Sequence, residues 1–102
     1  MEQNQVRVFN ALMRHDGSVD ESSKDRFDAV SRLQEQAGLG GYTRATVTSL
    51  LRDMRDRGWI HLQRRNGNPK ERRISGISIV RIPENLQDYV NGDPEIDRYA
   101  RA

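Results

Sequence analysis

The sequence predicts an α+β fold, mostly α, with three helices, a two-stranded β-hairpin and a short C-terminal helical segment. Apolar residues recur at helical spacing in three stretches, and after Gly58 the period changes to the alternation of strands. The 102 residues, 34% hydrophobic and 31% charged, are enough for one domain with a modest core. Turn residues separate the predicted elements.

The first helix is predicted over residues 4–15. Its apolar residues repeat at helical spacing, and Gly17 follows as a candidate C-cap. The residues that form this apolar face are Val6, Phe9, Leu12 and Met13. We expect this helix to act as a scaffold.

A polar connector and a second helix come next. Val19 is the only apolar residue of the connector and marks a short strand or a turn. Ser22, three residues before Asp25, has the pattern of a helix start, and apolar residues follow at helical spacing. These are Phe27, Val30, Leu33 and Ala37. The pattern predicts a second helix over residues 23–37.

A third helix is predicted over residues 43–57, with two contrasting faces. Val47, Leu50, Leu51 and Met54 lie at i, i+3, i+4 and i+7, the spacing of a core-facing stripe. The opposite side carries Ala45, Thr48, Ser49, Arg52 and Asp56, with Arg44 and Arg55 on one shoulder. Thr43 is a suitable N-cap, and the preceding turn, 38–43, contains three glycines. Two helices joined by a glycine-containing turn are typical of a helix-turn-helix.

A β-hairpin is predicted after the third helix. Ile60 and Leu62 share one face of the first strand, and Ile77 and Ile79 mark the second. Between the strands, Asn-Gly and Asn-Pro pairs provide turn chemistry within basic flanks. Ile74 and Ile77 are out of step with strict alternation, so we expect a β-bulge near Gly76. Pro83 ends the second strand, and residues 84–90 can form a short helix.

Positive charge is concentrated in the centre of the chain. Residues 44–81 hold ten Lys and Arg against three acidic residues, a balance of +7. Residues 1–43 hold five against seven (−2), and residues 82–102 hold two against five (−3), which gives the total of +2. A basic block on an otherwise acidic chain is the pattern expected of a polyanion-binding surface.

The sequence offers no sign of an enzyme, a metal site or a cofactor site. It has no cysteine, no plausible nucleophile–base pair and no glycine-rich loop between a strand and a helix. His15 and His61 lie far apart, and we expect a surface position for the first and a strand position for the second. Without a membrane-length apolar run or a signal-peptide pattern, a cytoplasmic, nucleoid-associated protein is expected.

Residues 5–82 resemble the winged helix-turn-helix domain of prokaryotic and phage transcription regulators. The segment AVSRLQEQAGLG is similar to that family's second helix and turn. The segment TRATVTSLLRDMRDRGWIHLQRR is similar to its recognition helix leading into the first wing strand, as in MarR-type regulators and the DNA-binding domain of the SOS repressor. The chain departs from larger regulators in lacking a ligand-binding domain and long flanking dimerisation helices, so the resemblance does not extend to effector sensing.

The resemblance implies DNA-binding roles for twelve residues. The helix over 43–57 would enter the major groove, where Arg44, Ala45, Thr48, Ser49 and Arg52 would contact base edges. Tyr42 and Thr43 would bind phosphate at the helix N-terminus. Wing residues Arg64, Arg65, Lys70, Arg72 and Arg73 would contact the adjacent minor groove or its phosphates. We rank Arg44 above Arg52, because only Arg52 has an acidic residue, Asp56, one turn away.

The apolar residues of the C-terminal extension, 83–102, have two interpretations. They can fold back on the first helix and complete the core, or they can form a dimer contact. The residues concerned are Leu86, Tyr89, Ile96 and Tyr99. A homodimer is expected because one winged helix, which we place at residues 1–82, reads only a few base pairs.

The function expected from these features is sequence-specific binding of double-stranded DNA by a small transcriptional regulator, more readily a repressor than an activator. A plasmid or phage partition or replication protein is one alternative, because it would use the same surface. A winged-helix adaptor that binds another protein is a second. Trp59, at the end of the third helix, is expected to be a packing anchor rather than a platform for base stacking.

Overall fold

Helices and strands share one core in an α+β arrangement. The computed structural model describes residues 2–21, 28–64 and 74–90. In those ranges it contains four helices and a three-stranded antiparallel sheet. In chain order the elements are α1 (Glu2–Met13), β1 (Ser18–Asp20), α2 (Ala29–Gln36), α3 (Arg44–Asp56), β2 (Ile60–Arg64), β3 (Ile74–Ile79) and α4 (Glu84–Gln87). None of the helices in this part of the chain is long and apolar enough to cross a membrane.

The sheet has one strand more than the sequence predicts. The predicted hairpin is present as β2 and β3, but β3 also pairs with β1, so the strand order is β1-β3-β2. The connector residue Val19 lies opposite Ile77 in this second pairing. The expectation of a two-stranded sheet was therefore wrong. A strand of three residues with one apolar side chain is defined by its backbone pairing, which has no local sequence pattern.

The predicted β-bulge is confirmed in β3. Gln63 lies opposite Gly76, whereas the next residue of β2, Arg64, lies opposite Ile74. Ser75 is therefore the extra residue. A Cβ atom on Gly76 would lie 2.9 Å from the Oδ1 atom of Asp20, so the missing side chain lets β1 approach the bulged strand.

Helix α1 is buried around most of its circumference and contacts α2, β1 and β3. Its buried residues are Asn4, Gln5, Val6, Val8, Phe9, Asn10, Ala11 and Leu12. The helix begins and ends two residues earlier than predicted, and Met13 is 41% exposed rather than part of the apolar face. The scaffolding role expected of this helix is consistent with its central position.

Helix α2 begins six residues later than the sequence predicts. Asp28 is its N-cap, with an extended backbone and a side chain that accepts a hydrogen bond from the Ser31 N–H at 3.1 Å. The start at residue 23 was therefore wrong, and residues 22–27, including the pattern around Ser22, lie outside the described residues. Asp28 is the better cap because its carboxylate also binds a residue of α3.

Helices α2 and α3 end in the same kind of turn. Each has a glycine in the left-handed region, Gly38 at φ +72° and Gly58 at φ +78°. After α3, the Gly58 N–H donates to the Arg55 carbonyl at 2.9 Å and the Trp59 N–H to the Met54 carbonyl at 3.0 Å. This pair of hydrogen bonds is the Schellman arrangement, in which glycine lets the chain leave the helix sharply.

The Gly58→Ala variant is expected to lower the free energy of unfolding by about 1 to 2 kcal/mol, because an L-residue is strained at this positive φ. Urea denaturation measures the change. Gly40→Ala is the matched control, because an added methyl group would meet nothing within 4 Å there and the backbone has no positive φ. Its effect should stay below about 0.5 kcal/mol. Equal effects of the two substitutions would contradict the role of Gly58.

Candidate nucleic-acid interface

Helix α3 buries one face and exposes the other, as its sequence predicts. Val47, Leu51 and Met54 are buried in the core, and Leu50 packs partly against it. On the opposite side Ala45, Ser49 and Arg52 are exposed, and Thr48 is half-buried. We call these three exposed residues, with Thr48, the outer face of α3. Its N-terminal part carries only small side chains, so another molecule can approach the helix backbone closely.

The N-terminus of α3 is fixed by its cap and by the preceding turn. The Thr43 hydroxyl accepts a hydrogen bond from the Thr46 N–H at 3.2 Å, which confirms the predicted N-cap. Gln34 of α2 donates from Nε2 to the carbonyl of Tyr42 at 2.8 Å and to that of Leu39 at 3.1 Å. The Tyr42 side chain is exposed. The first amides of α3 have no intrahelical acceptor, so this end can receive an anion.

An ion pair between α2 and α3 engages Arg44, the first residue of α3. Its Nη1 atom donates to Asp28 Oδ1 at 3.1 Å and to the Ser31 hydroxyl at 2.8 Å, and its Nη2 atom pairs with Asp28 Oδ2. The side chain of Asp28 is 8% exposed and that of Arg44 is 52% exposed. The buried carboxylate thus caps α2 and holds α3 against it at the same time.

The charges of this pair are reflected in both pKa values. Burial by itself would raise the pKa of Asp28, but hydrogen bonds from Arg44 and Ser31 and the charge of Arg44 outweigh it and lower the pKa below 3.8. The hydrogen bond to Asp28 raises the pKa of Arg44 further above its ordinary value. Both groups are therefore charged at neutral pH.

The ion pairs of α3 change the ranking of its arginines as candidate DNA contacts. Asp53 binds Arg57, one helical turn away, at 3.0 Å. Asp56, however, binds Arg55 at 3.1 Å rather than Arg52. Within the described residues Arg52 has no ion-pair partner, whereas Arg44 is engaged by Asp28, sixteen positions earlier. Helical periodicity does not indicate this pair, because it relates only residues about one turn apart on the same helix.

Trp59 joins the end of α3 to the sheet and to α1. Its ring is buried with its centroid 6.2 Å from that of Phe9, and the guanidinium carbon of Arg57 lies 5.1 Å from the indole centroid. Its carbonyl accepts hydrogen bonds from the N–H groups of Val80 and Arg81, at 2.8 and 3.0 Å. These contacts confirm the prediction that Trp59 is a packing anchor.

The hairpin and the C-terminal extension contain the remaining predicted residues. Arg64 ends β2 and is half-exposed. Leu86 is only 1% exposed and belongs to the chain's own core, as expected if the extension completes that core, and its role in a dimer contact stays a prediction. Tyr89 is exposed. Arg65, Lys70, Arg72, Arg73, Ile96 and Tyr99 lie outside the described residues, and their roles stay predictions.

A groove of about 560 Å³ separates the start of α1 from the flank of α3. It is lined by Asn4, Gln5, Leu39, Tyr42, Ala45, Thr46, Val47, Ser49, Leu50 and Asp53. No sequence pattern indicated it, because polar residues at the start of a helix are ordinarily solvent-exposed. The groove borders the outer face of α3, with which it shares Ala45 and Ser49.

Among the described residues there is no group of three or more His, Cys, Asp and Glu side chains that could hold a metal ion. Comparisons with protein-family models, curated proteins and solved structures find no match to this chain. The geometry and charges of the chain itself therefore carry the functional argument.

Proposed function

We propose that this chain is a sequence-specific double-stranded DNA-binding protein with a winged helix-turn-helix fold. In this proposal it acts as a small transcriptional regulator, and as a repressor when its operator overlaps a promoter. Helix α3 enters the major groove, and the basic segment between β2 and β3 contacts the adjacent backbone or minor groove.

The outer face of α3 is the observation that carries the proposal. Ala45 and Ser49 are small enough to let the helix backbone approach base edges, and a methyl or hydroxyl group can contact a thymine methyl or a base acceptor. Arg52 lies one turn further on and has no ion-pair partner in the described part of the chain, so its guanidinium is available for guanine O6 and N7. A small, rigid face ending in an available arginine is suited to reading bases.

The surrounding elements support the same use. The Asp28–Arg44 pair fixes α2 against α3, so the outer face is presented by a rigid unit rather than by a single helix. In this role Arg44 is a positioning residue whose half-exposed guanidinium can still reach a phosphate. Strands β2 and β3 follow α3 directly, and the contacts of Trp59 fix these strands relative to the end of the helix.

A regulator of this size needs two half-sites to reach useful specificity, so we propose that it binds as a homodimer. Tyr89 is the exposed aromatic residue of the described C-terminal segment, and its ring can take part in this contact. A partition or replication protein would use the same face of α3 but would occupy direct repeats rather than inverted ones.

Selection from a random-sequence duplex pool at about 150 mM salt tests the proposal, because specific complexes typically exceed non-specific ones by about 10³ or more. Enrichment of an inverted repeat is expected, with half-sites about one helical turn apart. Enrichment of direct repeats would favour the partition or replication role. Absence of enrichment, with weak binding that salt abolishes, would refute sequence-specific DNA binding and favour an adaptor that binds protein.

The Arg52→Ala variant is expected to weaken binding to the selected site about tenfold to a hundredfold, because a bidentate contact to guanine contributes about 1 to 3 kcal/mol of discrimination. Fluorescence anisotropy with the selected duplex and with one mutated at the contacted base measures the change. Arg14→Ala is the matched control, since it removes the same charge from the turn after α1. If both variants weaken binding equally, Arg52 contributes only charge and does not read a base.

A further inference from the structure

The groove between α1 and α3 contains two buried side chains with unused hydrogen-bonding capacity. Asn4 is 6% exposed and Gln5 is 7% exposed, and both carboxamides line the groove. Neither forms a side-chain hydrogen bond with any residue in the part of the chain that the structure describes. The polar atoms of these carboxamides are not fully enclosed, so they reach the water in the groove. A ligand in the groove can replace that water and form hydrogen bonds with both side chains.

The remaining lining defines the shape and polarity of that ligand. Leu39, Val47 and Leu50 provide apolar walls, and the exposed ring of Tyr42 lies beside them. A volume of about 560 Å³ is within the range of small-molecule sites, roughly 300 to 1,000 Å³. Apolar walls with an aromatic ring favour a flat, unsaturated molecule, which can stack and bury both faces.

The charges of the residues that line the groove further limit which ligands it can bind. No Lys or Arg is found among the described residues that line the groove, and the acidic one, Asp53, has its carboxylate bound to Arg57. A phosphate or carboxylate group would therefore lose its hydration without gaining a cationic partner. The carboxamides instead offer a donor and an acceptor each, the combination that pairs with the N6 and N7 edge of adenine.

We infer that this groove binds a small, uncharged, planar heterocycle, namely a purine base or nucleoside with an adenine-type edge. In this assignment the two carboxamides read the edge of the ring and the apolar residues pack against it. Ser49, which lines the same groove, supplies a hydroxyl to a ribose. The binding of the ligand itself does not depend on the proposed DNA-binding function.

Titration of the ¹⁵N-labelled full-length protein with adenosine, followed by NMR, tests the inference. Chemical-shift changes are expected in the side-chain amide signals of Asn4 and Gln5 and in the backbone signals of α3 residues that line the groove. If adenosine causes no change at its solubility limit, or changes that are spread evenly over the surface, the groove is not a purine site. Adenosine monophosphate should bind no more tightly, and tighter, salt-sensitive binding of it would overturn the assignment to an uncharged ligand.

Two methionine variants separate recognition from folding. Gln5→Met keeps the length of the side chain and removes the carboxamide, and it is expected to weaken adenosine binding about tenfold or more. Gln3→Met is the matched control, since Gln3 is exposed on the same helix and does not line the groove. Gln5→Met should keep the fold, because the Gln5 carboxamide forms no hydrogen bond within the described part of the chain and methionine has a similar size. Equal affinities of the two variants would overturn the role of Gln5.

A ligand in the groove would regulate DNA binding if the proposed DNA-binding function also holds. Ala45 and Ser49 belong both to the groove and to the outer face of α3, so a ligand in the groove would narrow the approach to DNA. Saturating adenosine is then expected to reduce affinity for the selected duplex in the wild type and in Gln3→Met, but not in Gln5→Met. Adenosine binding without an effect on DNA would refute only this regulatory step, because the NMR titration contains no DNA.

Discussion

The Asp28→Ala variant is expected to lose about 2 to 3 kcal/mol of unfolding free energy. Removing an N-cap costs about 0.5 to 2 kcal/mol, and a methyl group at this position could not accept the Ser31 N–H. Arg44 would lose its partner as well. That second loss is smaller than the roughly 3 to 5 kcal/mol typical of a fully buried pair, because Arg44 is half-exposed and can be rehydrated. Urea denaturation with constant m-value measures the sum.

Two asparagine variants separate capping from charge. Asp28→Asn keeps a good N-cap and loses only the ionic part, so about 1 kcal/mol is expected. Asp53→Asn removes an exposed carboxylate from an i, i+4 pair and should cost about 0.2 to 0.5 kcal/mol. An Asp28→Ala effect no greater than that of Asp53→Asn would show that the link between α2 and α3 does not stabilise the fold.

The same pair makes stability depend on pH. The pKa of Asp28 is below 3.8 in the folded protein, so its carboxylate stabilises the fold at neutral pH and down to roughly pH 4 to 5. This contribution is lost as the pH falls through the lower folded-state pKa. The difference in unfolding free energy between the wild type and Asp28→Asn should thus be constant above about pH 5 and should become smaller below it. A constant difference down to about pH 2 would contradict the ionic pair.

The Phe9→Ala variant is expected to have the largest effect on stability, about 3 to 5 kcal/mol. Phe9 is fully buried, and its ring packs against that of Trp59. Removing it loses the transfer free energy of the ring and leaves a cavity between α1 and the end of α3. Because domains of this size are stable by about 5 to 15 kcal/mol, the variant should be close to unfolding.

Trp59 fluorescence follows this unfolding directly, because it is the only tryptophan of the chain. The matched control is Met13→Ala on the same helix, which removes a large but exposed apolar side chain and should cost less than about 1 kcal/mol. A Phe9→Ala variant as stable as the Met13→Ala variant would show that the ring contact between Phe9 and Trp59 is absent in solution.

The parts of the fold that local patterns determine were predicted well. Helix α3 was predicted within one residue at each end, because its stripe, its threonine cap and Gly58 lie within one short stretch. The start of α2 was predicted wrongly because the carboxylate of Asp28, its N-cap, is held in part by Arg44, which lies sixteen residues away in the sequence. A short strand at Val19 was one of the two alternatives that the sequence left open, but its place in the sheet was not predicted because its partner lies near residue 77. Both errors have the same cause, which is a contact distant in sequence.

The candidate site shows the same difference between features set by local sequence and features set by distant contacts. The small and basic outer face of α3 followed from helical periodicity, and the structure exposes it as expected. The engagement of Arg44 and the groove beside α1 depend on which helices pack together, and periodicity does not specify that. Asn4 and Gln5 are the clearest example, because their polar side chains predict exposure and the fold buries them.

The strand order also bears on how this chain folds as it leaves the ribosome. The central strand, β3, is the last of the three to be made, and its partners come from residues 18–20 and 60–64. Until about residue 79 has emerged, β1 and β2 have no common neighbour and α1 lacks one of the surfaces that bury it. Helices α2 and α3 can form early, but the structure that fixes their outer face is completed only near the end of synthesis.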